Sequence, residues 1–530
     1  MKWQVLAENP RDILETLLKN RGVEKKQAFL NPPLPKSEVK IPQKVITRIK
    51  KAIKNEEKIV VYGDYDVDGI CATAIVWETL YALEAKVLPF IPQRENEGYG
   101  LSIAGIDNID KETKLIFTVD SGIVANKAVD YAKKQGAEVI ILDHHEKPSA
   151  QGGLPKAYAI IHTDKLCAAG IAYFFAQALT PKTLSLEPTL ELAAIATVSD
   201  MMPLTGVNRS IVKHGLKTLS ATKRPGLKAL FEVAGIKTVG VYEIGYMIGP
   251  RINASGRIES ALSALRLLCT HDQRKAMDLA RKLNETNKER QVMVEESVGH
   301  ALKNTVVTEK IIVIYDESYH PGVIGLIAGK MTEKYYLPSI VISKKDDISK
   351  ASARSIAGFN IIEAIRTCEE LLVNAGGHPM AAGFTIKTSE IANFKLQIES
   401  FAKEKITPEL LERTLKVDCE ISLDKVNYDL FSLLSALEPY GIGNPQPVFC
   451  SEAEVLNIRT MGAIGQHLKL VIASPISHRT KQSFEAVMFN ASQWAAKLKA
   501  GDRIKIAYSL DLNSYNGKTT LQLKIKDISL

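Results

Sequence analysis

From residue 58 to about 200 the chain alternates short Val/Ile-rich runs with longer stretches in which apolar positions recur every three or four residues. The short runs, bounded by Gly or Asp, predict buried parallel strands at 58–64, 86–91, 114–120 and 138–143, and the periodic stretches predict helices at 70–84 and 125–135. Strand and helix in alternation mean a mostly parallel, doubly wound sheet. Residues 168–270 turn helical. From 272 to about 304 a charged, periodic stretch contains no Pro and no Gly before Gly299, which predicts one exposed helix joining two bodies with a cleft between them. A second, smaller α/β body begins at IIVIYDES, 311–318, includes GGHPMAAGF, 376–384, and closes with an amphipathic helix near 388–405. The rest alternates in short strands around the Gly/Pro-rich EPYGIGNPQP and reads as a small β-barrel. Residues 1–50 read as a helical lead-in broken by Asn31, Pro32, Pro33 and Pro35. The expected class is therefore α/β: a parallel-sheet body at 51–270, a joining helix at 271–304, a smaller α/β body at 305–405 and a barrel at 406–530.

Composition narrows the picture little. At 530 residues the chain is too long for one core, and 45% hydrophobic with 24% charged residues is ordinary for a folded protein. A formal charge of +8 favours an anionic partner without demanding one. The six cysteines are scattered, with no close pair of the zinc-ribbon kind, and read as reduced core residues. The N-terminal MKWQVLAENPRDILETLLKN mixes charge into an amphipathic pattern unlike an export or membrane-spanning segment, so a cytoplasmic protein is expected.

The chemistry gathers where predicted strands end. VVYGDYDVDG carries Asp64, Asp66 and Asp68, IFTVDSG carries Asp120, and VIILDHH carries Asp143, His144 and His145. Carboxyl ends of parallel strands are where open α/β sheets build ligand sites. Carboxylates and imidazoles without a thiolate suit two divalent, oxygen-preferring cations, a pairing that cleaves phosphoesters. Singly, each signal has a bland alternative: Asp64–Asp68 as an acidic turn or calcium loop, Asp120 as a helix cap. In an extended segment, Asp66 and Asp68 would project the same way and address adjacent ions. The Asp-His-His run is harder to explain by packing, and Asp200 after the apolar helix ELAAIATVS opposes that helix's dipole, so a cation is the economical partner.

These motifs resemble the DHH phosphoesterases that carry a DHHA1 second domain, and within them the RecJ single-strand-specific exonucleases. The resemblance runs over about residues 45–530. It rests on Asp143-His144-His145, on Gly376-Gly377-His378 with Ala381, Ala382 and Gly383, and on Gly249-Pro250-Arg251-Ile252-Asn253-Ala254-Ser255-Gly256-Arg257. It implies a DHH catalytic domain, a DHHA1 domain and an OB-fold barrel that binds nucleic acid. By the same resemblance Asp66 and Asp120 hold one ion, and Asp68, Asp120, His144 and Asp200 the other. Asp143 acts beside them and His145 is a secondary candidate. Many relatives have a histidine where this chain has Tyr62, so Asp64 is expected to substitute as a ligand. His378 stands opposite the ions to stabilise charge on the phosphate, with Gly376 and Gly377 permitting close backbone approach. Arg251, Asn253 and Arg257 offer donors to backbone phosphates, with a structural ion-pair loop as the alternative. Ser352, Arg354, Ser355 and Arg94 form a pocket for a 5′-terminal phosphate, and His320 is a further secondary candidate.

Mixed imidazole and carboxylate ligation favours two Mn²⁺, with Mg²⁺ as a substitute. The implied function is a 5′→3′ exonuclease releasing mononucleotides from single-stranded DNA in repair and recombination. Its implied partners are single-stranded DNA, a single-strand-binding protein and a helicase, and a monomer is expected. The alternatives are a DHH phosphodiesterase acting on short oligonucleotides or cyclic dinucleotides, and a strand-binding protein that has lost its ions.

Overall fold

The computed structural model of the chain describes residues 1–93, 97–98, 100–148, 153–180, 185–305, 307, 310–475, 483–515 and 517–530. Two compact units partition it: residues 39–199 with 218–413, and residues 1–38 with 200–217 and 414–530.

The larger unit contains two sheets. In the first, the strands Val87–Phe90, Lys58–Tyr62, Thr113–Val119, Glu138–Asp143 and Ala159–His162 lie side by side in that order, all parallel. Numbered along the chain this is order 2-1-3-4-5, so the connections diverge between Lys58–Tyr62 and Thr113–Val119. That switch point opens a crevice beyond the carboxyl ends of those two strands. Asp64 and Asp66 follow the first, Asp120 the second and His144 the next. The strands are nearly all buried because helices cover both faces: Val67–Ala82 and Ala168–Leu179 pack together over one, and residues of Ile103–Asp107 and Asn126–Lys134 share a core with the other. The final strand, Ala159–His162, escapes a periodicity argument because its run is so short.

The second sheet has the order Leu372–His378, Ala381–Lys387, Ile348–Arg354, Ser339–Ser343, Ile312–Asp316. Only its last pair is parallel. The helix Gln273–Asn304 runs unbroken for 32 residues. It was expected to be exposed, yet Ala276, Ala280, Leu283, Thr286, Asn287, Ser297 and Ala301 form a buried stripe along it. Small residues let it lie close to its neighbours, which a count of charges hides. Among the described residues no helix is long and apolar enough to cross a membrane.

The smaller unit holds the barrel. Strands Phe449–Met461, His467–Ala473, Ser483–Met488, Lys518–Ser529 and Arg503–Tyr515 pair in that sequence, and the last returns to pair with the first, closing five strands. The N-terminal lead-in holds the helices Ile13–Asn20 and Lys26–Leu30, as expected, but its opening is corrected here. Lys2–Val5 is a strand, paired parallel with Thr414–Val417, and Leu17, Leu18 and Phe29 join the barrel's core. A pairing between segments some four hundred residues apart leaves no local trace. Phe449 is fully buried in that core and Tyr440 donates its hydroxyl to the Leu434 carbonyl, so both serve packing.

Candidate metal centre

The Asp64–Asp68 loop is not extended throughout, as its alternation suggests. Asp66 is the N-cap of the Val67–Ala82 helix and accepts from the Gly69 N–H at 3.0 Å, while Asp68 lies in the first helical turn. The Asp68 carboxylate reaches the next helix, where it accepts the N–H groups of Ala168 at 2.6 Å and Ala169 at 2.7 Å. These are otherwise unpaired donors at the start of the Ala168–Leu179 helix, and a carboxylate there complements its dipole. Asp120 follows its strand with φ 60, in the left-handed region that costs a non-glycine residue about 1–2 kcal/mol. Such strain is retained where the surroundings hold it for function.

Seven side chains converge. Ligand atoms of Asp64, Asp66 and Asp120 lie within 4.8 Å of one another, as do those of Asp120, His144 and His145, and those of Asp68, His144 and Asp200. Asp120 and His144 each belong to two of these sets, which links the three into one cluster. His144 Nε2 stands 3.2 Å from Asp120 and 3.7 Å from Asp68. Asp200 is the residue directly after the Glu187–Ser199 helix, so the end of that helix positions it. Tyr62 lies outside all three sets: it is fully buried and hydrogen-bonded to the Gly100 carbonyl, in the strand that precedes Asp64.

Asp64, Asp68 and Asp120 are each only 2% exposed, so their mutual repulsion has little solvent to screen it. Burial, with Asp66 nearby, pushes the Asp68 carboxyl up to about 7 although two N–H groups oppose the shift. Burial and the neighbouring His145 drive His144 down to about 4, which leaves its imidazole neutral and able to ligate. Burial also penalises charge on His145, but its 2.7 Å contact with Asp143 wins and raises it. Buried carboxylates in mutual reach beside a neutral imidazole, with no thiol among them, form a donor set that fits divalent cations.

Asp143 acts beside the cluster, as the resemblance implies, by holding the turn and the His145 ring. Its Oδ1 accepts from the His144 N–H, the His145 N–H and the His145 ring, and its Oδ2 from the Ile123 N–H. Those bonds shape the Asp-His-His turn and orient His145, leaving the carboxylate occupied. His162, which the sequence reading overlooked, contacts the His145 carbonyl through Nε2 at 2.7 Å. No motif marks it, but its place beside Asp143 in the sheet does.

The 249–257 segment is a helix, Gly249–Ile258, within the stretch expected to be helical, so the alternative of an ion-pair loop falls away. Asn253 accepts from the Val67 N–H at 3.0 Å, and a Cβ on Gly256 would lie 2.3 Å from the Tyr65 carbonyl. This helix therefore braces the aspartate loop. Arg251 is tied to Asn284 and the Met247 carbonyl, while Arg257 donates to the Gly322 carbonyl of the second body at 3.0 Å.

Across the cleft, His378 is 54% exposed with Nδ1 3.7 Å from Glu146, just past the Asp-His-His turn. Gly377 has φ 146, and a Cβ there would lie 2.5 Å from the Ala381 carbonyl, so it serves the hairpin, whereas Gly376 faces open space. Arg354 bonds Ser352 and the Ala353 carbonyl, and no carboxylate pairs with it among the described residues. Ser355 turns inward to the Phe359 carbonyl, which removes it from the pocket. His320 accepts from the Gly322 N–H and shapes that turn. Arg94 lies outside the described residues.

Three family models match the chain: the DHH family N-terminal domain over residues 58–197, the DHHA1 domain over 306–404 and the RecJ OB domain over 417–527. The single-stranded-DNA-specific exonuclease RecJ of Thermus thermophilus is 32% identical, over 100% of this chain and 78% of the relative. Its Bacillus subtilis counterpart is 35% identical over 93% of this chain, which spans 64% of that protein's length. The crystal structure of T. thermophilus RecJ in complex with Mn²⁺ superposes with a TM-score of 0.85 at 29% identity, covering 100% of this chain and 79% of the other.

Proposed function

Since the chain belongs to the RecJ family of DHH–DHHA1 proteins, we propose that it is a single-stranded-DNA-specific exonuclease that hydrolyses phosphodiesters and releases mononucleotides from the 5′ end. The observation that carries this reading is the linked set of carboxylates and imidazoles at the sheet's switch point. Asp64, Asp66 and Asp120 would hold one divalent cation and Asp68, His144 and Asp200 another, with Asp120 and His144 common to neighbouring sets. When bound, manganese or, as a substitute, magnesium would lower the pKa of a water toward neutrality and offset phosphate charge.

The chain's own groups do the rest. Asp143 holds the His145 ring and the backbone of the turn, and Asn253 anchors the helix from which Asp66 and Asp68 project. His378, exposed on the second body, is available to donate to a phosphate or leaving oxygen. Arg354 with Ser352 supplies a cation lacking an internal counter-charge, a fit for a terminal phosphate. The closed barrel, matched to the RecJ OB domain, supports a strand rather than a dinucleotide as substrate. On the family relation we also assign a cytoplasmic setting, a monomeric state, and a single-strand-binding protein and a helicase as partners.

The test is a time course on an end-labelled forty-nucleotide strand and on a dinucleotide, with Mn²⁺ and with chelator. The expected result is metal-dependent release of mononucleotides from the long strand, with turnover in Asp120→Asn reduced at least about 10³-fold and strand binding retained. Faster turnover of the dinucleotide would favour the small-substrate alternative, and undiminished cleavage by Asp120→Asn would remove the cluster from the reaction.

A further inference from the structure

Arg290 is a half-buried cation without a counter-charge among the described residues. It lies on the Gln273–Asn304 helix, half-buried, and among the described residues no carboxylate pairs with it and its Nε has no hydrogen-bond partner. Burial alone lowers its pKa, with no acidic neighbour opposing the shift. A guanidinium partly withdrawn from water with its Nε unpaired is costly, so such a group is retained where something else completes it. Arg290 opens onto a cavity of about 110 Å³ shared with Ser199, Asn253 and Arg257. One water needs roughly 10–15 Å³ on this measure, so the void has ample room for a phosphoryl group. The Ser199 hydroxyl is likewise buried without a partner.

The cavity contains none of the seven clustered acids and histidines, yet it adjoins them by covalent structure. Ser199 immediately precedes Asp200, and Asn253 bonds the backbone between Asp66 and Asp68. Two arginines, a hydroxyl and an amide, with no carboxylate among the lining residues, select an anion. We propose that this cavity is an anion subsite that receives a non-scissile phosphodiester group of the single strand, with Arg290 as its principal donor. The proposal rests on the nuclease reading, because a strand presents further phosphates beside the one being cleaved. The guanidinium fork grips that phosphate and fixes the strand's register relative to the acidic cluster.

The experiment measures binding of a fluorescent forty-nucleotide strand in chelator, across a salt series, for wild type, Arg290→Met and Arg290→Lys. Losing one phosphate contact should lower the slope of log affinity against log salt by about 0.7 in Arg290→Met, while Arg290→Lys keeps the slope. In Mn²⁺, Arg290→Met should raise KM on that strand about tenfold or more and leave kcat within about twofold. The strand-free Arg290→Met protein should melt no lower than wild type, because a half-buried charge with an unpaired Nε has been removed. A lower melting temperature would mark Arg290 as a structural anchor and overturn the subsite. An unchanged salt slope in Arg290→Met, with wild type binding the strand normally, overturns the subsite alone. A wild type that binds no strand overturns the nuclease reading and the subsite with it.

Discussion

Asp68 is held between two opposing influences. Two helix-start N–H groups favour its charged form, whereas burial and Asp66 oppose it and dominate, raising its folded pKa to about 7 from about 3.9 for a free aspartate. Its sign follows from linkage: between these values the folded protein holds a proton that the unfolded chain has released, so stability falls as pH rises. The stabilising contribution is complete below about pH 4 and is lost as pH passes through about 7. The metal-free protein should therefore melt at progressively lower temperature between pH 5 and 8, and Asp68→Asn should flatten that dependence whatever it does to absolute stability. Scanning calorimetry of both proteins in chelator checks this, and equal slopes would contradict it. At this scale the sequence was informative: Asp64, Asp66, Asp68, Asp120, His144 and Asp200 all follow strands or a helix end visible in the hydrophobic pattern. The working partner of Asp143 was not visible, because a carboxylate satisfied by its own turn has the same sequence as one facing a cation.

The Gly249–Ile258 helix shows how an element serves the site without touching a substrate. It lies on the Asp64–Asp68 loop, with Gly256 against the Tyr65 carbonyl and Asn253 on the Val67 N–H. Gly256→Ala introduces a Cβ 2.3 Å from that carbonyl, so helix and loop must part. Destabilisation of about 1–3 kcal/mol is expected, with activity lost more than proportionately. The control is Gly299→Ala, which meets nothing within 4 Å in a helix interior and should stabilise by about 0.5–1 kcal/mol. Urea titration with a nuclease assay on both variants compares them, and an active, undisturbed Gly256→Ala protein would refute the bracing role. This helix lies in the stretch read as helical at 168–270, although its two glycines and its proline are usual breakers. Here Pro250 comes just after the π-helical turn Ile244–Ile248, and Gly256 is required by close approach. The aspartate loop was misread, since Asp66 alternates with Asp68 in sequence but caps the helix in space.

At the level of the whole chain, the smaller unit gathers three distant stretches. Arg209, 1% exposed, donates to the carbonyls of Phe29, Leu437, Glu438 and Pro439 and lies 3.9 Å from the Phe29 ring centroid. Arg209→Ala strands those carbonyls and should destabilise this unit by at least about 3 kcal/mol, read as an earlier calorimetric transition. No shift would contradict that role. These long-range ties explain why the strand that opens the lead-in was missed while the alternating core was recognised: local periodicity reports a segment's own burial, not which segment covers it. The activity argument depends on the acidic crevice at the sheet's switch point being a seat for divalent cations, and an anomalous difference map collected at the manganese edge from Mn²⁺-soaked crystals tests this directly. Two peaks are predicted, one among Asp64, Asp66 and Asp120 and one among Asp68, His144 and Asp200. A map with no peak in that crevice, from crystals of protein that cleaves strands in Mn²⁺, would contradict the account.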